Sequence, residues 1–250
     1  MEYLIDSAEG KDFNLVVAIQ KPCVEIAEVT IVIDELARSL RLKSTMENAN
    51  AIWPSFFARP NRDSAEVLSD IERFAIPAIK AACRNRHDSY VERLVAWRSK
   101  ESATTVRQLQ NVLTRLRSEI GNPAPKSSSY EVSIYSPGLD AGYMSFPCLS
   151  HLSFKYDRRR ELIHLTALYR NHAYLSHAYG NFLGLGRLMQ FVCAQTKTLP
   201  GELISISTHA DGELGRRRSL TCTAVAKVRQ ILTEGNSKGI IAGESRETRT

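Results

Sequence analysis

The sequence predicts an α+β fold in which a mixed β-sheet carries helices on one face. Blocks rich in β-branched residues alternate irregularly with longer stretches whose apolar residues recur at helical spacing. The chain has 250 residues, 43% of them hydrophobic, which is enough to bury the core of one large domain or two small ones.

The first third of the chain predicts one strand and two helices. Residues 14–19 are apolar and β-branched, and they fit a strand or another buried segment. Residues 24–42 end with apolar positions at helical spacing. Residues 64–83 show the same spacing, and Pro77 is an expected kink or break because proline lacks the amide hydrogen that continues a helix.

The middle of the chain predicts a helix between two short elements. Residues 90–97 are few in number and fit a strand or a turn. Residues 103–120 show the clearest amphipathic helix pattern, and Gly121 is expected to end it. The composition of residues 121–129 is that of a loop, and residues 130–136 then alternate as a strand does.

The last part of the chain predicts three strands and a long helix. Residues 149–156 and 161–169 fit two strands around a turn, and residues 174–195 fit a long helix. Residues 203–207 fit another strand, and the polar tail beyond Gly235 is expected to fray.

Composition and charge argue against several classes of protein. No apolar run approaches the roughly 18 residues of a membrane span, and the N-terminus lacks the pattern of a secretory signal, so we expect a cytoplasmic protein. The five cysteines are irregularly spaced, which favours neither a disulfide framework nor a metal site. The net charge is +6, and the basic clusters at 158–160 and 216–218 lack interleaved aromatics, so nucleic acid is the least favoured partner.

Seven short pieces in the chain share their order and approximate spacing with one known family. They are YVERLVAW (90–97), VRQLQNVLTRLRSE (106–119), Pro147-Cys148, LYR (168–170), GN (180–181), LPGELISIS (199–207) and His209. Over residues 90–212 the chain resembles the thymidylate synthase family and its deoxypyrimidine hydroxymethylases. The resemblance implies that residues 1–235 form one such domain, with 1–89 as a divergent N-terminal part and 236–250 as a flexible tail.

The resemblance implies a catalytic role for Cys148. In the family, a cysteine after a proline attacks C6 of a pyrimidine nucleotide, so that C5 can accept a one-carbon unit from methylenetetrahydrofolate. Cys148 follows Pro147, and Arg170 matches the arginine that contacts both this cysteine and the nucleotide phosphate. An arginine suits both tasks because its charge is permanent and its fork binds oxygen atoms in pairs. Glu35 is the best match for the glutamate that relays protons to the base.

Four further residues are implied to bind the nucleotide. Asn181 matches the asparagine that reads the pyrimidine edge, and His209 matches the histidine that contacts the sugar. Asn171 follows the phosphate arginine and Tyr90 opens the first matched piece, and both are expected in the same pocket. From the residue types alone, Asn181 also fits a helix N-cap, His209 a satisfied polar residue and Arg170 a surface salt-bridge partner.

The chain departs from the family pattern at several positions. Leu149 stands in the place of a histidine, Ala173 in the place of an aspartate near the base and the folate, and Asp211 in the place of a sugar-binding tyrosine. Ser127–Ser129 stand where the family has paired arginines that reach the partner subunit's phosphate. The C-terminal end is polar, whereas the family's end is apolar and closes over the folate.

The resemblance implies a methyl- or hydroxymethyltransferase that acts on C5 of a pyrimidine nucleotide or nucleoside, with methylenetetrahydrofolate as the donor. The departures leave open a homologue that binds nucleotides without transferring carbon. The resemblance also implies a homodimer formed through the second face of the sheet. The apolar residues that the sequence offers for that face are Leu149, Leu152, Phe154, Leu162 and Ile163.

Overall fold

The computed structural model describes residues 1–7, 9–57, 62–82, 89–98, 104–122, 128–140 and 147–237. The strands are β1 (Lys11–Ile19), β2 (Trp97–Arg98), β3 (Thr105–Val106), β4 (Glu131–Ser133), β5 (Leu149–Asp157), β6 (Leu162–Tyr169), β7 (His172–Ala173) and β8 (Leu199–Asp211). The helices are α1 (Glu2–Asp6), α2 (Ala27–Ser39), α3 (Thr45–Ile52), α4 (Ser64–Asp70), α5 (Ile76–Ala82), α6 (Tyr90–Val95), α7 (Gln108–Glu119), α8 (Tyr179–Thr196) and α9 (Arg218–Ser237). Two π-helical turns, Ile71–Ala75 and Tyr174–Ala178, precede α5 and α8.

Six strands form one mixed sheet in the order β1-β8-β6-β5-β4, and β7 pairs with the end of β8. β8 runs parallel to β6 and β7, and the other pairs in this sheet are antiparallel. The predicted α+β class with a mixed sheet is therefore confirmed. Because β6 lies between β5 and β8, the end of β6 meets the start of β5 and the second half of β8.

Helices cover one face of the sheet. Along β6, Ile163, Leu165, Ala167 and Tyr169 are fully buried, while the residues between them are only half-buried. This alternation is expected of a strand whose side chains point in turn to a covered and to an open face. α8 packs against β6 and β8 on the covered face.

The open face carries other apolar residues than those that the sequence offered for a dimer contact. Leu149, Leu152, Phe154 and Ile163 are all buried in the main core beneath the helices. Their assignment to a second face is wrong, because apolar character alone does not say to which face an alternating strand directs a side chain. On the open face, an apolar row runs across three strands and consists of Val16, Ile206 and Leu168. Ile204 lies beside this row on β8.

Two glycines let α8 lie unusually close to α3. A Cβ atom at Gly180 would lie 2.5 Å from Asn48 Cβ, and one at Gly184 would lie 2.6 Å from the Ala49 carbonyl oxygen. These separations are too short for any side chain at either glycine. The contact fixes α8 between α3 and the sheet.

Three local predictions in the first half change. Residues 90–95 form helix α6, not a strand or a turn; Ser89 Oγ accepts the Glu92 amide hydrogen at 3.3 Å and caps it. The amphipathic helix begins at Gln108 rather than at 103, because Thr105–Val106 pair with β2. Pro77 lies in the first turn of α5, directly after a π turn, so the helix changes its hydrogen bonding there and continues.

The apolar pattern of the sequence does not predict α9, which spans Arg218–Ser237 and packs against α2 and α1. Its apolar positions are sparse, and Leu220 and Leu232 are exposed. The predicted flexible tail lies outside the described residues beyond 237. Within the described ranges, no helix is long and apolar enough to cross a membrane.

A buried ion pair ties α6 to the segment that follows β4. Arg93 donates from both terminal nitrogens to the Asp140 carboxylate, at 2.5 and 2.7 Å, and to the Ile134 carbonyl oxygen at 2.5 Å. Asp140 also accepts the Ser136 amide hydrogen at 2.8 Å. Both charged side chains are almost fully buried, so each depends on the other for compensation.

We expect Arg93→Ala to lower the free energy of unfolding by about 3–5 kcal/mol, because it leaves the Asp140 carboxylate buried without its cation. Urea denaturation followed by circular dichroism measures the change. Arg229→Ala is the matched control, since Arg229 pairs with Glu2 on the surface and its loss should have a far smaller effect. Equal losses in the two variants would contradict this account of the Arg93–Asp140 pair.

Candidate functional site

Cys148 and Arg170 lie side by side because of strand pairing. Cys148 directly precedes β5 and Arg170 directly follows β6, and Leu149 pairs with Tyr169 between them. The Arg170 amide donates to the Cys148 carbonyl oxygen at 2.9 Å. Arg170 Nε donates to the Pro147 carbonyl oxygen at 3.2 Å. The guanidinium is thus held against the proline–cysteine dipeptide.

Tyr90 reaches the same place from the first turn of α6. Its hydroxyl oxygen lies 3.5 Å from the Leu149 amide nitrogen, at the outer limit of a hydrogen bond. The pKa of Tyr90 is raised to about 12, chiefly by burial and secondarily by its charge interaction with Cys148, while Arg170 opposes the shift. Tyr90 therefore stays protonated and can donate a hydrogen bond beside the cysteine.

Asn181 lies inside α8 and points toward the sheet. The residue that caps the helix is Ala178, so the N-cap interpretation of Asn181 is wrong. Asn181 is only 5% exposed, and its Nδ2 atom lies 3.2 Å from His172 Nε2. His172, two residues after Arg170, is therefore the residue that contacts Asn181. The family resemblance drew attention to Ala173 instead.

His172 is the centre of a buried polar network. Its ring stacks on Tyr169 with centroids 3.9 Å apart and an angle of 6° between the planes. Its Nδ1 atom lies 3.1 Å from Ser207 Oγ, which is 3.2 Å from the Tyr174 hydroxyl. Burial lowers the pKa of His172 to about 3, with a smaller contribution from His177, so the imidazole is neutral near pH 7.

This network also connects Asn181 to Cys148. The pKa of Tyr169 is raised well above its usual value, first by burial and then by the nearby Tyr90 and Cys148. Tyr169 pairs with Leu149, the residue that follows Cys148, and its ring stacks on His172. Cys148, Arg170 and Tyr90 are joined through it to the His172–Asn181 pair.

His209 and Asn171 form a second pair at the same end of the sheet. His209 Nδ1 lies 2.6 Å from Asn171 Oδ1, so Nδ1 carries the proton and donates it. The His209 ring lies 5.5 Å from the ring of Phe13, which is 71% exposed. The structure thus brings two of the predicted nucleotide-binding residues into direct contact, with the histidine engaged as a polar residue with a partner.

Glu35 does not join this group. It is exposed on α2, which packs on α9 and α3, and no contact in the described part of the chain links it to Cys148 or Arg170. The serines that stand in place of the family's paired arginines lie partly in the undescribed segment 123–127.

Two residues that differ from the family pattern, Ala173 on β7 and Asp211 on β8, lie next to each other. Ala173 pairs with Asp211 in the parallel ladder. The Asp211 carboxylate accepts the Glu213 amide hydrogen at 2.8 Å and lies 3.7 Å from Lys11 Nζ. This carboxylate therefore has partners at the sheet edge, and the His172–Asn181 pair lies on the adjacent, buried side.

Sequence reasoning missed the floor of the site. The missed residues are Tyr169, His172, Tyr174 and Ser207. Two signals could have found them: Tyr169 continues the buried alternation of β6, and Ser207 continues that of β8, where a buried serine needs a polar partner. Among the described residues, no group of three or more histidine, cysteine or acidic side chains could hold a metal ion. The described cysteines 23, 148, 193 and 222 are free thiols.

The lowered pKa of His172 predicts a loss of stability in acid. The unfolded chain takes up a proton near pH 6.5 and the folded chain only near pH 3, so the free energy of unfolding falls as the pH drops through this window. The contribution is about 1.4 kcal/mol for each pH unit. The neighbouring Tyr169 and Tyr174 stay neutral in this window, because both have raised pKa values.

Urea denaturation of the wild type and of His172→Phe between pH 4.5 and 6.5 measures this contribution as the difference between the two slopes. His177, whose pKa burial also lowers, is present in both proteins and cancels in the difference. Identical slopes would show that the His172 imidazole does not stay neutral in the folded protein.

Comparisons with known proteins find sequence relatives in the family that the motifs resemble. No family model matches the chain. A curated protein of Methanosarcina mazei named “Putative thymidylate synthase” is 27% identical over 184 residues, which cover 72% of this chain and 77% of the relative. A protein of the same name from Methanosarcina barkeri is 31% identical over 123 residues, 48% of this chain, and the match spans about half of the relative's length (51%).

Among solved structures, thermostable thymidylate synthase A from Bacillus subtilis matches with a TM-score of 0.47 and 16% identity, over 80% of this chain and 65% of that chain. The sequence relatives agree with the resemblance that the motifs indicated, since this chain is similar to curated proteins named putative thymidylate synthase.

Proposed function

We propose that this protein transfers a one-carbon unit to C5 of a pyrimidine nucleotide, through covalent addition of Cys148 to C6. The observation that carries the proposal is the joint fixation of nucleophile and cation. The Arg170 backbone amide donates to the Cys148 carbonyl oxygen, and its Nε donates to the Pro147 carbonyl oxygen. The first hydrogen bond holds the two residues side by side, and the second holds the guanidinium against the backbone of the Pro147–Cys148 dipeptide. A thiolate is the reactive form of cysteine, and a neighbouring guanidinium stabilises it. The relatives' names support the same reaction class.

In the proposed reaction, the Cys148 sulfur forms a bond to C6, and the electron pair of the C5–C6 double bond moves toward the C4 carbonyl. The resulting enolate makes C5 nucleophilic, so that C5 can bond to a one-carbon electrophile. Loss of the C5 proton and elimination of the cysteine then restore the double bond and the free thiol. Tyr90, which stays protonated beside Cys148, is suited to donate a hydrogen bond in this pocket.

Methylenetetrahydrofolate is the donor that we propose, because the resemblance implies it. It would supply a carbon at the oxidation level of formaldehyde, which becomes a hydroxymethyl group by taking up water, or a methyl group by taking up a hydride from the tetrahydrofolate, which is thereby oxidised to dihydrofolate. The described residues do not fit the family's folate contacts, because Ala173 stands where the family has an aspartate and offers no carboxylate. We therefore propose no role for the described residues in binding the donor or in its reaction.

The remaining site residues complete the proposal. Asn181 would read the base edge, and His209 with Asn171 would bind the sugar or phosphate of a nucleotide or nucleoside. Glu35 remains the proposed proton relay from the resemblance, although its exposed position on α2 gives that role no support.

We also propose a cytoplasmic homodimer that uses the open face of the sheet. Val16 is 58% exposed there, and it lies in register with Ile206, which in turn pairs with Leu168. A two-fold contact would bury this apolar row against its own copy. Leu162 has the same strand parity as Leu168 and could extend the contact.

The covalent step can be tested with 5-fluoro-dUMP and 5-fluoro-dCMP, each with and without methylenetetrahydrofolate. We expect mass spectrometry to show an adduct on the peptide that contains Cys148 with one of the two nucleotides. Cys148→Ser should abolish the adduct, while Cys222→Ser, a matched change at a free cysteine on α9, should retain it. Absence of any adduct under all four conditions would refute the proposed chemistry.

Arg170 should contribute to nucleotide binding through the phosphate. We expect Arg170→Met to weaken dUMP binding by about tenfold to a hundredfold, because a charge-assisted hydrogen bond contributes roughly 1.5–3 kcal/mol. Deoxyuridine, which lacks the phosphate, should lose much less. Isothermal titration calorimetry measures both, with Arg187→Met, at an α8 residue that pairs with Glu25, as the control. An equal loss for nucleotide and nucleoside would place Arg170 away from the phosphate.

A further inference from the structure

The hydrogen bonds around Asn181 leave its amide in one orientation. Nδ2 lies 3.2 Å from His172 Nε2. Within the described part of the chain, Asn181 Oδ1 makes no hydrogen bond. This oxygen is not sealed from solvent, so a ligand can reach it. The amide therefore commits one N–H to His172 and keeps its carbonyl oxygen and its second N–H available to a ligand.

The ring of His172 is held too firmly to adapt to another orientation of the amide. His172 is 1% exposed, and its ring is stacked on Tyr169 at 3.9 Å. Phe182 packs edge-on against it with centroids 5.6 Å apart. Ser207 Oγ holds Nδ1 at 3.1 Å. Rotation of the imidazole would break the stack and the hydrogen bond together.

The proton positions follow from the number of donors and acceptors. A neutral imidazole has one donor nitrogen and one acceptor nitrogen. With Asn181 Nδ2 facing Nε2, this nitrogen must accept, which leaves the proton of a neutral His172 on Nδ1, where it can form a hydrogen bond to Ser207 Oγ. The Ser207 hydroxyl can then donate to the Tyr174 oxygen at 3.2 Å, so each donor in this chain has an acceptor.

We propose that His172 is a positioning residue. It fixes the amide of Asn181, the residue that the resemblance assigns to reading the base edge, and this fixed orientation sets the preference for a uracil base over a cytosine base. This inference rests on the proposed function, because it requires a pyrimidine against Asn181. The N3–H of uracil can donate to Oδ1, and the remaining N–H of Asn181 can donate to the uracil O4. Cytosine presents the reverse pattern, with an acceptor at N3 and a donor at N4. Its N3 lone pair would face Oδ1, and a site built for one pattern rejects the other.

The arrangement itself can be tested without any nucleotide. Long-range ¹H–¹⁵N spectra of the histidine side chains distinguish a proton on Nδ1 from a proton on Nε2, and His172→Phe identifies the signal of His172. We expect a neutral ring with its proton on Nδ1 from pH 5 to 8. A proton on Nε2 would mean that Asn181 presents its nitrogen to the ligand, and it would overturn the proposal.

The selection can be tested by calorimetric titration with dUMP and dCMP. We expect the wild type to bind dUMP at least tenfold more tightly. His172→Phe keeps an aromatic ring on Tyr169 but removes both nitrogens, so the ratio of the two dissociation constants should fall by fivefold or more. His172→Gln, whose carbonyl oxygen can accept from Asn181, should recover part of the ratio. His164→Phe makes the same change at a histidine on the open face and should leave the ratio as it is.

The outcomes separate the two ideas. A folded His172→Phe protein, with an unchanged near-ultraviolet spectrum and a ratio within twofold of the wild type, would overturn the positioning role while the proposed function stands. A wild type that forms the Cys148 adduct but binds dCMP as tightly as dUMP would overturn the selection only. A wild type that binds neither nucleotide and forms no adduct would overturn the proposed function and the selection with it.

Discussion

The antiparallel pairing of β5 with β6 is the constraint on which the candidate site depends. Leu149 and Tyr169 are paired, so the residues just outside the pair, Cys148 and Arg170, must lie side by side. The Arg170 side chain then turns back to the Pro147 carbonyl oxygen. A slip of one residue would place the strand's side chains on the opposite faces and separate the thiol from its cation. The fully buried residues of both strands, such as Phe154 and Leu165, make such a slip costly.

The polar floor beneath this pair is electrically neutral. His172 has a lowered pKa and carries no charge near pH 7, and Tyr169 and Tyr174 have raised pKa values and also stay neutral. A charged imidazole at this depth would require a counter-ion and would repel Arg170 in a medium of low dielectric constant. Neutral hydrogen bonds can instead orient a ligand without altering the electrostatic balance beside Cys148.

The sequence predicted the sheet well because strand alternation and the long apolar helix are strong local signals. It predicted the meeting of Cys148 and Arg170 only through the resemblance, since no local pattern shows which strand ends will pair. It missed His172 because this histidine belongs to no repeating pattern of apolar and polar residues. Only the packing of α8 shows that its partner is Asn181. The exposure of Glu35 likewise depends on how α2 packs on α9, a helix whose weak apolar pattern gave little warning.

The two halves of the site are held by different parts of the fold. Cys148 and Arg170 are positioned by strand ends, whereas Asn181 is positioned by α8, which lies close to α3 because Gly180 and Gly184 have no side chains. Tyr169 is the structural link, since it belongs to β6 and yet stacks on the histidine that holds Asn181. A site on such rigid elements holds its geometry better than one on loops. The proposed base selection and the proposed reactivity of Cys148 can therefore change separately, provided that the Tyr169–His172 stack stays in place.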